Sequence, residues 1–301
     1  MRHGKYPFII GFLVVPVALY CTFVVAAYLQ AFQLSFTGWS GFGRITYIGF
    51  ENFHKLWNDD LFWQSLRHNL FLLILLPVVT VAVALVIAFL LNVGGSSRGG
   101  QTRGVRGSKA YRIIFFFPQL LALAIVAVIF QRVFGPDKSG MLNGLFPASW
   151  NPWLFLADER WAMTCILIVL IWQAVGFYVV LFSAGMGSIP AEIYEAAALD
   201  GASRITLFFR VTIPLLWGTI QVAWVYLGIA AFDAFAVVNI MSVDRGGPNG
   251  ATSVLSLMIW RNTFEFSQVG YASAIGVVLF FLTLTFAALT LRVTRRESLE
   301  A

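Results

Sequence analysis

Few side chains in this sequence are suited to catalysis or metal binding, and they are scattered along the chain. Its three histidines, His3, His54 and His68, stand far apart, and its two cysteines, Cys21 and Cys165, both lie in apolar segments. Such cysteines are better read as small buried hydrophobic residues than as a disulfide or a metal site. There is no H-E-x-x-H motif and no nucleophile elbow, so we expect neither an enzyme nor a metal-binding protein.

Polar side chains inside apolar segments are the more informative group. Asp233 is the one acidic residue within a segment that we predict to cross a membrane, where it costs about 3 kcal/mol unless it faces a cavity or a partner. Helical spacing places Tyr226 and Asp233 on one face, with Asn239 nearly two turns further on. Aromatic rings with carboxylate and amide groups suit a carbohydrate, which predicts a substrate path. Its predicted lining residues are Gln173, Phe177, Tyr178, Tyr226, Phe232, Asp233 and Asn239. The alternatives for Asp233 are a hydrogen bond to a neighbouring helix or a position near the outer interface. The alternative for the aromatic side chains is ordinary packing.

The elements that position these residues are membrane-spanning helices. The 301 residues are 59% hydrophobic and 11% charged, whereas soluble domains carry about 25% charged residues. Charge-free windows are long enough for the ~20 residues that cross a bilayer as a helix. The sequence predicts an all-α integral membrane protein with six transmembrane helices, near 7–30, 69–92, 112–134, 162–187, 213–240 and 269–291. The first span exceeds the 7–15-residue core of a cleavable signal, so we expect a retained signal-anchor.

The distribution of basic residues predicts the orientation of the spans. If both termini are cytoplasmic, twelve of the 20 lysines and arginines lie inside. They are Arg2, Lys5, Arg98, Arg103, Arg106, Lys109, Arg112, Arg204, Arg210, Arg292, Arg295 and Arg296. This excess favours cytoplasmic termini and places the loop 189–214 in the cytoplasm. The excess of basic over acidic residues is therefore explained by membrane orientation and by attraction to anionic lipid, and we expect no nucleic acid partner.

The loop 189–214 has helix signals of its own. Pro190 suits the start of a helix, and Gly201 is able to take the left-handed conformation that ends one. Ser203 or Asp200 is then placed to cap a second short helix, which must stop before Pro214. The first helix has a shallow, alanine-rich face that another protein is able to approach closely.

These same residues carry a family resemblance. The order Glu195-Ala196-Ala197, Gly201, then Val211 and Ile213-Pro214 resembles the cytoplasmic "EAA" loop of the membrane-spanning subunits of ATP-binding-cassette (ABC) importers. Val211 and Ile213 replace the usual Ile and Leu, which are mild departures. The alternative is an ordinary surface helix that joins two spans.

The resemblance implies a coupling helix that sits in a groove of a separate ATPase subunit. The coupling residues would be Glu192, Tyr194, Glu195, Ala196, Ala197, Asp200 and Gly201. It also implies a second, homologous permease subunit, a dimer of ABC ATPase subunits and an extracytoplasmic solute-binding protein. ATP and magnesium would belong to the ATPase, and this chain would bind no cofactor.

Two further stretches narrow the resemblance to sugar importers. The first stretch, Gly49-Phe50-Glu51-Asn52-Phe53, resembles a segment of sugar-importing ABC permeases. The second stretch resembles the maltose- and glycerol-phosphate-type permease subunits, and it consists of Phe232-Asp233 followed by Gly246-Gly247-Pro248 and Thr252. Two extra residues before Gly246 leave the local alignment of the second stretch open.

We therefore expect a permease that carries a sugar or sugar-like solute into the cytoplasm by alternating access across a bacterial-type plasma membrane. The expected divisions are a signal-anchor span with a first external loop (1–68), a transport core (69–291) and a cytoplasmic tail (292–301). A secondary transporter and a purely structural membrane subunit are the alternatives. The sequence does not name the sugar.

Overall fold

The computed structural model describes residues 5–93, 104–147 and 149–293. These residues form helices, turns and loops, with an isolated β-bridge between Thr37 and Tyr47. The predicted all-α class is confirmed. Parts of two predictions fall outside the described residues, namely most of the tail 292–301 and, among the orientation-setting arginines, Arg2, Arg98, Arg103, Arg295 and Arg296.

The helices follow the apolar segments of the sequence. In chain order they are α1 (Lys5–Tyr20), α2 (Ala26–Leu34), α3 (Glu51–Trp57), α4 (Asp60–Val93), α5 (Ser108–Leu120), α6 (Leu123–Val133), α7 (Ala162–Gly187), α8 (Ala191–Leu199), α9 (Arg204–Thr206), α10 (Ile213–Leu215), α11 (Trp217–Phe232), α12 (Phe235–Met241), α13 (Leu255–Phe264) and α14 (Val269–Val293). The segments Cys21–Val25 and Leu207–Thr212 are π-helical. The helix α7 begins and ends at the predicted residues 162 and 187.

Within the described residues, four helical segments are long and apolar enough to cross a bilayer unaided. They are Gly11–Leu34, Asp60–Val93, Ala162–Gly187 and Val269–Arg292. Two bent pairs raise the number to six if each pair is one span. The predicted six-span arrangement is consistent with this count, but two of the spans are not single straight helices.

The predicted third span, 112–134, is broken in its middle. The helices α5 and α6 meet at 93°, because Leu121 and Ala122 adopt extended backbone between them. Pro118 in the last turn of α5 has no N–H to donate, which weakens the helix there. Gln173 Nε2 on α7 donates to the Leu121 carbonyl oxygen at 3.3 Å and so replaces part of the lost helical bonding.

The predicted fifth span, 213–240, is interrupted at both ends. A 73° bend at Leu216 follows the π-helical segment and Pro214, and α11 then stops at Phe232. Asp233 takes a non-helical backbone conformation, and α12 begins only at Phe235. The placement of Asp233 inside a continuous span was therefore wrong. Its N–H still bonds to the Ile229 and Ala230 carbonyls, so it closes the last turn of α11.

The chain divides into two compact units, of which one comprises residues 1–63 and 258–282. In this unit the buried Asn52 of α3 donates to the Ser35 and Thr37 carbonyls at 2.8 and 2.9 Å. Gly270 at the start of α14 lies against the Thr37 backbone, since an added Cβ would stand 1.9 Å from that carbonyl oxygen. The short helix α3 is thus held by the segment that precedes it.

The other unit comprises residues 64–257 and 283–301. Its centre is α7, against which α5 packs closely because Gly176 has no side chain. A Cβ on Gly176 would stand 1.7 Å from the Phe115 carbonyl oxygen, so only glycine permits this crossing. Fully buried apolar side chains fill the interior, among them Leu72, Val126, Ile166, Phe182, Leu227 and Met241. Both predicted functional regions belong to this unit.

Candidate functional site: the α8 helix and the polar residues of the bundle

The helix α8 is short because its sequence fixes both ends. Pro190 precedes it with a non-helical backbone, and Gly201 follows it with φ of +79°, the left-handed conformation that the sequence predicted. Ser203 then caps α9, because its hydroxyl accepts from the Thr206 N–H at 3.2 Å. The two helices are therefore joined by a tight, defined turn.

The inner side of α8 is attached to the π-helical segment. Tyr194 is 5% exposed, and its hydroxyl lies 3.2 Å from Thr212 Oγ1. The Thr212 hydroxyl in turn donates to the Leu207 carbonyl at 3.1 Å. Burial raises the pKa of the Tyr194 phenol, so it remains protonated at neutral pH. Tyr194 thus ties α8 to the start of the bent α10–α11 pair.

The outer side of α8 is open. We call Glu192, Ile193, Ala196, Leu199 and Asp200 the α8 outer face; all five are exposed, and Leu199 is 85% exposed. Glu195 and Ala197 are half-buried at its edge. The face combines carboxylates with apolar side chains, which suits contact with a partner protein better than with water alone. Leu199 and Thr212 were absent from the predicted site, although Thr212 lies within the Val211–Pro214 part of the motif.

The seven predicted path residues differ in their exposure. Tyr226 (66% exposed), Asp233 and Phe177 face outward from the chain. Phe232 is buried with its ring centroid 6.3 Å from that of Phe286, and Tyr178 is buried beside Phe177.

The remaining two path residues have distinct surroundings. Gln173 caps the broken third span through its bond to Leu121. Asn239 on α12 has a buried Oδ1 with no hydrogen-bond partner among the described residues. A buried amide oxygen without a donor is costly, so this atom is available for a ligand hydroxyl or water.

A polar network that the sequence did not reveal joins three helices. Asn92 of α4 donates to Ser183 Oγ of α7 at 3.0 Å, and Arg112 of α5 donates to Asn92 Oδ1 at 2.6 Å. The three residues are far apart in sequence and belong to no motif, so only the fold brings them together. The network links the end of α4 to the start of α5 beside α7.

Two cavities flank the turn after α6. One of about 340 Å³ is lined by Gln131, Arg132, Gly135, Pro136, Asp137, Ser139, Gly140, Leu156, Met241 and Val243. Bonds from the Ser139 hydroxyl and backbone N–H lower the pKa of the Asp137 carboxyl, which keeps it charged. The other cavity, of about 200 Å³, is lined in part by Lys138. Neither cavity includes any of the seven path residues.

These features define an α-helical integral membrane protein that carries a rigidly attached surface helix. The family model for "binding-protein-dependent transport system inner membrane component" matches residues 92–298. The chain belongs to this family, and it is a permease component of a membrane transport system.

Relatives along nearly the whole chain agree with this family. The diacetylchitobiose uptake system permease protein NgcF of Streptomyces coelicolor is 40% identical over 299 residues, which cover 98% of this chain and 84% of the relative. The multiple sugar-binding transport system permease protein MsmF of Streptococcus mutans is 31% identical and covers 95% of this chain and 94% of the relative.

A solved structure shows the same fold. One chain of a bacterial ABC transporter involved in the import of the acidic polysaccharide alginate superimposes with a TM-score of 0.80 at 22% identity. The alignment covers 97% of this chain and 96% of that chain. The two chains therefore share one fold along nearly their whole length.

Proposed function

We propose that this chain is the membrane-spanning subunit of an ATP-driven importer that carries a sugar into the cytoplasm. The α8 outer face supports this proposal most directly. It is an exposed, carboxylate-bearing surface on a helix whose other side is bonded to the bundle, which is the arrangement needed to receive force from a partner.

The proposed route by which movement passes from the α8 outer face to the membrane helix α11 is short. A partner that pushes on the α8 outer face moves Tyr194, and the Tyr194–Thr212 bond passes that movement to the π-helical segment Leu207–Thr212. That segment leads directly into the bend at Leu216 and so into α11. A change in the 73° angle would tilt α11, which carries Tyr226 and ends one residue before Asp233, and so would open the path to one side of the membrane or to the other. The two conformations must differ in their affinity for the ATP-bound partner, since otherwise no shift occurs.

The partners follow from the family and from the exposed surfaces. We propose a dimer of ATPase subunits, which hold ATP and magnesium, on the α8 outer face. A second permease subunit and an extracytoplasmic solute-binding protein complete the complex. In this orientation both termini and α8 face the cytoplasm, residues 69–291 form the transport core, and 1–68 form the anchor and first external loop.

A sugar is the substrate class that the relatives favour. NgcF is named for diacetylchitobiose, and a permease of Rhizobium radiobacter that is 27% identical is named for lactose. The outward-facing Tyr226, Asp233 and Phe177 and the unbonded Asn239 Oδ1 provide the aromatic and polar groups that bind sugars. Phe232, Tyr178 and Gln173 are assigned packing and capping roles around them.

ATP-dependent uptake tests the proposal. The complex is purified through a tag on this chain and reconstituted in liposomes, and uptake of diacetylchitobiose and lactose is measured with and without ATP. Glu195→Arg is expected to lower both ATPase retention and uptake at least about tenfold, because a reversed charge at an interface repels its partner. The control is Glu51→Arg, which reverses an exposed glutamate in the first turn of α3.

Two results would contradict the proposal. Uptake that needs no ATP would favour a secondary transporter, and a complex without transport of any sugar would favour a structural subunit. Equal losses of ATPase retention and of uptake in Glu195→Arg and Glu51→Arg would show that α8 has no special role in coupling.

A further inference from the structure

The segment between α6 and α7 encloses a small aromatic cavity that none of the assigned roles uses. Its volume is about 200 Å³, and it lies within residues 138–153. Stacked rings, amide groups and an ammonium group surround it. Its lining residues are Lys138, Asn143, Gly144, Phe146, Pro147, Trp150, Asn151, Pro152 and Trp153. We call it the aromatic cavity.

One wall of the aromatic cavity is a stacked pair of rings. The centroids of Phe146 and Trp150 are 5.6 Å apart and their planes differ by 11°. Phe146 covers one face of Trp150, yet Trp150 and Trp153 are each still 56% exposed, so much of their apolar surface is uncovered. Flat, uncovered aromatic faces match the C–H face of a pyranose ring.

The cavity is held in shape by one buried amide. Asn143 Nδ2 donates to the Gly135 and Trp153 carbonyls, and Asn143 Oδ1 accepts from the Trp153 N–H, all at 2.9 Å. Gly135 and Gly140 close the turn beneath it, since a Cβ on Gly140 would stand 2.4 Å from the Gly135 carbonyl oxygen. A site already fixed in this way loses little entropy when it binds a ligand.

The polar groups at the rim complement sugar hydroxyls. The exposed amide of Asn151 is able both to donate and to accept, and the indole N–H groups of Trp150 and Trp153 are donors. The cavity is smaller than the 300–1,000 Å³ typical of drug-sized ligands, so it suits a single ring.

We propose that the aromatic cavity binds one sugar ring of the solute before the solute enters the membrane path. This proposal rests on the proposed function for its orientation, in which the 135–160 segment faces the side from which the sugar arrives. It assigns Phe146 and Trp150 as a stacking platform, Asn151 as the hydroxyl partner and Asn143 as a positioning residue.

Direct binding to the full chain in lipid nanodiscs tests the site without requiring transport. Saturation-transfer NMR titrations with diacetylchitobiose and with lactose are run on the wild type and on Trp150→Leu. The loss of one stacking face is expected to weaken binding about three- to tenfold. Trp161→Leu is the matched control, because Trp161 is also 56% exposed in the same segment but lies outside the cavity. Phe146→Leu serves as a second variant if Trp150→Leu does not fold.

Three results would overturn the proposal. These are no binding of either sugar by the wild type, equal weakening by Trp161→Leu, or unchanged binding with altered thermal stability in Trp150→Leu. The last would show that Trp150 anchors the chain in the lipid interface instead. ATP-driven uptake that persists in the wild-type complex would leave the proposed function intact in each case.

Discussion

Tyr194 carries the connection between the exposed helix α8 and the membrane bundle. Helical spacing in the sequence indicates which residues share a face but not which face is buried. Tyr194 was grouped with the coupling residues by motif, and the structure places it beneath the helix instead, in contact with Thr212. In the proposed mechanism it therefore positions the helix, while the partner touches the α8 outer face.

Tyr194→Phe removes the hydroxyl but retains the buried ring. We expect about 1 kcal/mol of lost stability, typical of one hydrogen bond, together with less sugar transported per ATP hydrolysed. Thermal unfolding in detergent and the uptake-to-hydrolysis ratio of reconstituted complexes measure the two effects.

Thr212→Val provides the control for that prediction. We expect the double variant to lose less stability than the sum of the single variants, because both substitutions remove the same hydrogen bond. Additive effects of Tyr194→Phe and Thr212→Val would show that the two side chains act independently.

Gly201 shows what the sequence does predict at the residue scale. A glycine after a short amphipathic helix predicted a left-handed residue, and φ of +79° confirms it. The Asn92–Arg112–Ser183 network, by contrast, was beyond prediction because its members have no common motif or spacing. Short-range backbone chemistry is readable from the sequence, whereas long-range polar contacts are not.

The broken spans are the main structural features at the element scale. Apolar composition located the third and fifth spans but gave no sign of bends of 93° and 73°. Hydropathy measures only whether a segment tolerates lipid, whereas a bend depends on how Pro118, Gln173 and Gly176 pack across helices. Each bend places non-helical backbone within the bundle, where neighbouring side chains must satisfy it.

Gly176→Ala tests the close crossing that supports the first of these bends. The added Cβ would overlap the Phe115 backbone, so α5 must move away from α7. We expect a loss of about 1–3 kcal/mol, as for other overpacked cores, which a lower melting temperature in detergent would report.

Gly187→Ala is the matched control on the same helix, since nothing lies within 4 Å of an added Cβ there. It is expected to leave the melting temperature unchanged or slightly raised. Equal melting temperatures for Gly176→Ala and Gly187→Ala would contradict the described crossing.

At the scale of the whole molecule, the family and the all-α membrane class were both accessible from the sequence. Their signals, a spaced motif and long charge-free windows, are local and need no knowledge of packing. The residues of the substrate path were harder to predict from the sequence. Phe232 and Tyr178 face the interior while Tyr226 faces outward, and helical periodicity alone does not show whether a helix face contacts lipid, a partner or the core.

The account depends on α8 facing the cytoplasm with its outer face available to an ATPase. Leu199→Cys, in a chain that also carries Cys21→Ser and Cys165→Ala, places a single thiol at a position of that face that is 85% exposed. Leu145→Cys, at a position that is 75% exposed between α6 and α7, is the control for the opposite side. Labelling with a membrane-impermeant maleimide is then compared in intact spheroplasts and inside-out vesicles.

We predict that Leu199→Cys is labelled only in inside-out vesicles and is protected when the ATPase subunits are bound, while Leu145→Cys is labelled only in spheroplasts. Labelling of Leu199→Cys from outside intact spheroplasts would contradict the account.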